Sequence, residues 1–121
     1  MAKDDYHVIV YQILSYLYVQ LKSGEDADPA KLSADGPLFR INEKYWQYIF
    51  LNLLKDGYIE GFIAERKQSI TGERIVIDYL NHCQITPKGI DYLTDNSLLR
   101  KAAELASNAA SIAPWMDILT R

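Results

Sequence analysis

Apolar residues recur along this chain with a period that changes twice. From Lys3 to Lys22, Tyr6, Val10, Ile13, Leu14, Leu17 and Leu21 fall at three- and four-residue steps, which predicts a helix. Asp4 and Asp5 in its first turn and Lys22 in its last suit the helix dipole. A second line, Val8, Tyr11, Ser15, Tyr18 and Val19, lies on the other side, so this helix is expected to have two packing partners, the core and a C-terminal helix. The polar run Ser23 to Asp28 leads to a short helix capped by Asp28, with Pro29 first and Leu32 last. Ser33 to Arg40 reads as a loop containing Gly36-Pro37 and anchored by Leu38, Phe39 and Ile41. Asn42 then caps a longer helix, Glu43 to Asp56, stopped by Gly57. Its buried face is expected to hold Tyr45 or Trp46, Ile49, Phe50, Leu53 and Leu54, and its outer face Lys44, Gln47, Tyr48, Leu51, Asn52 and Lys55.

The period then shortens. Tyr58 to Glu65 alternates as a strand does, with Gly61 marking a bulge or a close approach. Thr71-Gly72 supplies a hairpin turn, and Arg74 to Leu80 a second strand built on Ile75, Val76, Ile77 and Tyr79. Gln84-Ile85 passes directly into Thr86-Pro87, where the Thr hydroxyl caps a helix and Pro87 fits its first position. That helix is expected to end near Asp95-Asn96. A last helix follows to about Ile112, then Pro114 and an apolar tail of Trp115, Met116, Ile118 and Leu119.

Helix, short helix, helix, hairpin, helix is the order of a winged helix, with the second and third elements as helix-turn-helix and the hairpin as wing. The competing arrangement is a helical bundle with an incidental hairpin. The single Gly57 between helix and strand, and the closure through Thr86-Pro87, favour the α+β winged helix-turn-helix, with a two- to three-stranded wing and an added C-terminal helix. Residues 1–96 would form that domain, and 97–121 a helix and apolar tail packed on it or on a second subunit.

Three segments together carry a resemblance to a known family: Leu53-Leu54-Lys55-Asp56-Gly57-Tyr58-Ile59-Glu60-Gly61, then Ile85-Thr86-Pro87-Lys88-Gly89-Ile90-Asp91-Tyr92-Leu93, then Asp95-Asn96-Ser97 followed by Leu98-Leu99-Arg100-Lys101-Ala102. In these the chain resembles the YjcQ family of small bacterial and prophage-encoded proteins, from about Asn42 to Ala113. Ser23 to Pro37 lies outside the resemblance. It implies a winged-helix fold and a phage association, and no catalytic residues.

Composition narrows the function classes. The chain has 121 residues, 49% of them apolar, enough for one domain with its own core. No stretch is long and apolar enough for a membrane span, and the start lacks the basic-then-apolar plan of a signal peptide. Cys83 is the single cysteine, so no internal disulfide is expected and a cytoplasmic setting fits. A net charge of −3 disfavours strong non-specific attraction to nucleic acid and leaves room for a local basic patch.

On a winged helix, the expected base-reading face is Lys44, Gln47, Tyr48 and Asn52, with Lys55 near the helix end. Arg66, Lys67 and Arg74 in the wing, and Arg40 ahead of the helix, are candidate phosphate contacts to double-stranded DNA. Against this, Lys44 and Lys55 are balanced by Glu43 and Asp56, and the wing mixes three basic with two acidic residues from Glu65 to Arg74. The alternative function is a phage-associated protein-interaction or assembly module. Trp46, Tyr48 and Leu51 would then form an apolar patch on the third helix. Leu98, Ala102, Leu105, Ala109 and Ile112 form a narrow seam suited to a homodimer or to packing within one chain.

Enzyme chemistry finds little footing. His82 and Cys83 are neighbours that would point to opposite faces of a strand, no Cys or His cluster completes a metal site, and Glu60 with Glu65 or Asp78 with Asp91 have no defined pairing. Glu25, Asp26 and Asp28 lack EF-hand spacing. No cofactor and no catalytic residue is expected.

Overall fold

The computed structural model describes residues 5–97 and residue 101. Three helices come first: α1 (Asp5–Ser23), the single turn α2 (Pro29–Leu32) and α3 (Glu43–Lys55). Two short antiparallel ladders follow. β1 (Ile59–Glu60) pairs with β4 (Gln84–Ile85), and β2 (Ile63–Ser69) pairs with β3 (Gly72–Asp78). α4 (Pro87–Asp95) comes last among the described elements. The protein is α+β, with a helix-turn-helix followed by a wing, a winged-helix fold.

Local chemistry sets the ends of these elements. Asp28 Oδ1 accepts from the Ala30 amide to start α2, and Asn42 Oδ1 accepts from the Tyr45 amide at 2.8 Å to start α3. α3 ends in a paired bond set: the Gly57 amide donates to the Leu54 carbonyl and the Tyr58 amide to the Leu53 carbonyl. That closure requires Gly57 at φ +81°, which a side chain resists. The next residues enter β1 without a linker. After β3, Tyr79 takes the left-handed conformation at φ +66° and turns the chain into a 3-10 turn, Leu80–His82, which leads back to β4.

α1 is the buried axis of the core. Val10, Ile13 and Leu14 are fully buried, and α1 packs against β4 and α4 of its own chain. From α3 come Ile49, Phe50 and Leu53, with Tyr45, Trp46 and Leu54 half-buried beside them. Tyr16 is buried with its hydroxyl accepting from the Asp28 amide, which ties the entry of α2 to α1. Ser15 is also fully buried, on the second line read from the sequence.

Several expectations need correction. The strand foreseen from Tyr58 to Glu65 is two strands, broken at Gly61-Phe62. Gly61 has φ +95°, and its Cα lies against the His82 carbonyl, so the chain turns there and drops Phe62 into the core. Phe62 meets Phe50 edge-on at 6.0 Å. The hairpin strands run further out than expected, to Ser69 and from Gly72, so Arg66 and Lys67 stand on a strand as Arg74 does, and the turn is Ile70-Thr71. The wing has two strands, within the two to three expected. Leu21 is exposed because α1 outruns the core at its C-terminal end, and Leu51 is half-buried, not exposed. Leu98, Ala102, Leu105, Ala109 and Ile112, with Pro114 and the apolar tail, lie outside the described residues. Among those described, no helix is long and apolar enough to cross a membrane.

Candidate nucleic-acid interface

The outer stripe of α3 and the wing enclose a groove of about 910 Å³. Lys44, Gln47, Tyr48, Asn52 and Lys55 line one wall at helical spacing, and Arg66 and Arg74 line the other. Seven of the nine DNA-binding candidates are therefore brought together from two separate stretches of chain. The other two stand apart. Lys67 alternates with Arg66 along β2, so it stands on the outer face of the hairpin with its ladder partner Arg74, and of that pair only Arg74 also borders the groove. Arg40 is exposed in the loop before α3, away from the groove lining.

The wing is fixed to α3 at three levels. Ala64 and Ile77 are directly opposed in the ladder and pack on the core. Phe62 plugs the base. Higher up, Gln47 Nε2 donates to the Ile75 carbonyl at 3.2 Å, bridging helix and strand. Gln47 thus spends one amide hydrogen on positioning the wing and keeps its carbonyl oxygen and second hydrogen for the groove. Asn52 likewise donates one hydrogen to the Tyr48 carbonyl at 2.7 Å.

Electrostatics set the groove apart from its surroundings. Lys44, Lys55, Arg66 and Arg74 border the groove together with Glu43 and Glu73, a formal +2 in a chain whose total is −3. Glu73 is paired with Arg66 at 3.1 Å, with 71% of the Arg66 side chain still exposed. Such an exposed pair stabilises by less than about 1 kcal/mol and opens readily for another anion. Glu43 and Glu73 were not among the sequence candidates. The ladder register puts Glu73 on the Arg66 face, and no one-dimensional pattern carries that information.

Tyr48 is the large exposed side chain of the helix wall, at 58%. Tyr6 of α1 stands edge-on to it at 6.4 Å. The Tyr6 hydroxyl is pushed up to about 12, first by burial and then by Tyr92, Tyr48, Asp56 and Tyr45. The apolar patch foreseen around Trp46, Tyr48 and Leu51 does not form. Trp46 turns away from the groove, packs on Phe50 at 5.2 Å, and donates its Nε1 hydrogen to the Leu32 carbonyl at 2.7 Å. Two residues along a helix is a rotation of about 200°, so Trp46 and Tyr48 cannot share a face.

The acidic segment before α3 keeps clear of the groove. Leu32 and Ala34 run along its Trp46 side, where the Ile41 amide donates to the Ala34 carbonyl. Glu25 and Asp26 instead line a small crevice with Gln20, Asn81 and Gln84. Among the described residues, no group of three or more His, Cys, Asp or Glu side chains could hold a metal ion. Cys83 is buried, and burial pushes its thiol up to about 12, so it is not poised as a nucleophile.

Helix-turn-helix, wing and a cationic groove between them define a winged-helix protein. The YjcQ protein family matches residues 11–110, and the chain belongs to that family. The match reaches back through Ser23 to Pro37, the segment that the resemblance read from the sequence leaves out. No curated protein and no solved structure matches the chain.

Proposed function

We propose that this is a small prophage-type DNA-binding protein with a regulatory role, acting without catalysis or cofactor in the cytoplasm. The observation that carries the reading is the convergence of Lys44, Lys55, Arg66 and Arg74 on one groove between α3 and the wing. When a winged helix lays its third helix in the major groove, one sugar-phosphate strand passes between that helix and the wing. The groove suits such an anionic strand. Tyr48, Asn52 and the free half of the Gln47 amide then face base edges, where an Asn or Gln amide pairs with adenine. The position of the acidic segment clear of the groove and the inward turn of Trp46 also favour DNA over a protein partner.

The runner-up is a phage or host protein partner on the same groove, favoured by Glu43 and Glu73 in its walls and by exposed Tyr48. The C-terminal seam would add a homodimer in either case, doubling the phosphate contacts.

Binding of mixed-sequence duplex DNA across a salt series tests the reading. Neutralising about three or four phosphates gives a log–log salt slope of roughly −3 to −4. The triple variant Arg66→Ala/Lys67→Ala/Arg74→Ala is expected to flatten that slope by about 2–3. No binding by the native chain even at low salt would refute DNA binding and leave the protein partner.

A further inference from the structure

The tip of the wing carries a residue that the fold does not account for. Ile70 is as exposed as in an extended peptide, at 106%, and stands in the two-residue turn between the paired Ser69 and Gly72. Turn chemistry does not call for it. Neither Ile70 nor Thr71 has a positive φ, and Gly72 supplies that conformation instead at +121°. An isoleucine held in water at a turn forgoes all the stabilisation its burial would bring. The turn beneath it is well braced. Ser69 Oγ donates to the Gly72 carbonyl at 2.6 Å and lies 3.1 Å from Thr71 Oγ1. The apolar side chain is thus presented on a stiff support at the far end of two seven-residue strands.

Its surroundings point to an anionic ligand. Lys67 and Arg74 are directly opposed in the ladder, two residues back from the Ser69–Gly72 pair, or about 7 Å along the strand. Glu73 lies closer to the turn on the other face and is held by Arg66. An apolar point with two cations set behind it matches a DNA minor groove, about 6 Å wide and walled by phosphates. Apolar side chains that enter it act as wedges between base pairs and kink the duplex.

We propose that Ile70 is a minor-groove wedge, with Lys67 and Arg74 on the flanking phosphates. The inference rests on the DNA-binding reading and gives Lys67, which the groove leaves out, a ligand. Flexible pyrimidine–purine steps such as TA yield most easily to a wedge, so duplexes carrying them are preferred.

The test uses the full chain and duplex DNA with a central TA step, end-labelled with a fluorescent donor and acceptor. The native chain and Ile70→Leu are expected to bind and bend it by about 20–90°. Ile70→Ala is expected to bind roughly tenfold more weakly, without the bend and with an unchanged salt slope. If Ile70→Ala binds and bends like the native chain, the wedge is overturned while DNA binding stands. If the native chain binds no duplex, both fall together.

Discussion

Thr86 joins α3 to α4 through one hydroxyl, and its replacement by valine gives the sharpest test of how the fold is held. Its Oγ1 donates to the Gly57 carbonyl at the end of α3 and accepts from the Gly89 amide at 3.0 Å in the first turn of α4. Thr86 is 9% exposed, and its own amide donates to the Tyr58 carbonyl. Thr86→Val keeps the shape and opens no cavity, so its cost is polar. Losing the cap costs about 1 kcal/mol. Leaving the Gly57 carbonyl short of a partner adds about 1–3 kcal/mol. The total is about 2–4 kcal/mol. Thr86→Ser retains both bonds and gives up one methyl group, about 0.8 kcal/mol. In urea, followed by far-ultraviolet circular dichroism, Thr86→Val is expected to lower the midpoint by about 1–2 M and Thr86→Ser by less than half as much. Equal shifts for the two variants, or no shift for valine, would refute the claim that the hydroxyl couples α3 to α4.

Three further outcomes follow from close contacts and burial. At Gly89, alanine would gain about 1 kcal/mol of helix propensity, but a Cβ there runs into the Tyr58 carbonyl and the Ile85 side chain. Overpacking against backbone outweighs the gain, and Gly89→Ala is expected to destabilise by about 2 kcal/mol in the same urea assay. Cys83 has its thiol raised from 9.0 to about 12, so the folded chain favours the neutral form. The stability this contributes is whole below the unfolded value and is lost as pH rises through the folded one. Urea midpoints should therefore fall between pH 9 and about 12, less steeply in Cys83→Ala. Iodoacetamide at about pH 8 should label the native chain slowly and the urea-unfolded chain quickly.

The helix starts were legible because their signals are local. Asn42, Asp28 and Thr86 each cap within three residues, and Gly57 closes α3 on the carbonyl three residues back. The stripe from Lys44 to Lys55 was equally readable, since helical spacing alone places those side chains together. What escaped depends on contacts distant in sequence. The close approach at Gly61 was marked in advance, but its splitting of the strand depends on the His82 carbonyl arriving from the other side of the hairpin. Trp46 turns inward because Leu32 offers it an acceptor. The meeting of Arg66 with Glu73 depends on a ladder register fixed by the turn. Ile70 had a usable signal: the Thr71-Gly72 turn marks its neighbour as the tip.

The break at Gly61-Phe62 also bears on how such a protein diversifies. It separates a base ladder that belongs to the core from a hairpin that meets the core through Ala64 and Ile77. Beyond Lys67 and Arg74, insertions of two residues in each strand would preserve every facing and lengthen the arm by about 7 Å per step. A single-residue insertion in each strand would turn the outer arm over and carry Glu73 off the Arg66 face. The arm's length can therefore change in even increments without touching the base ladder.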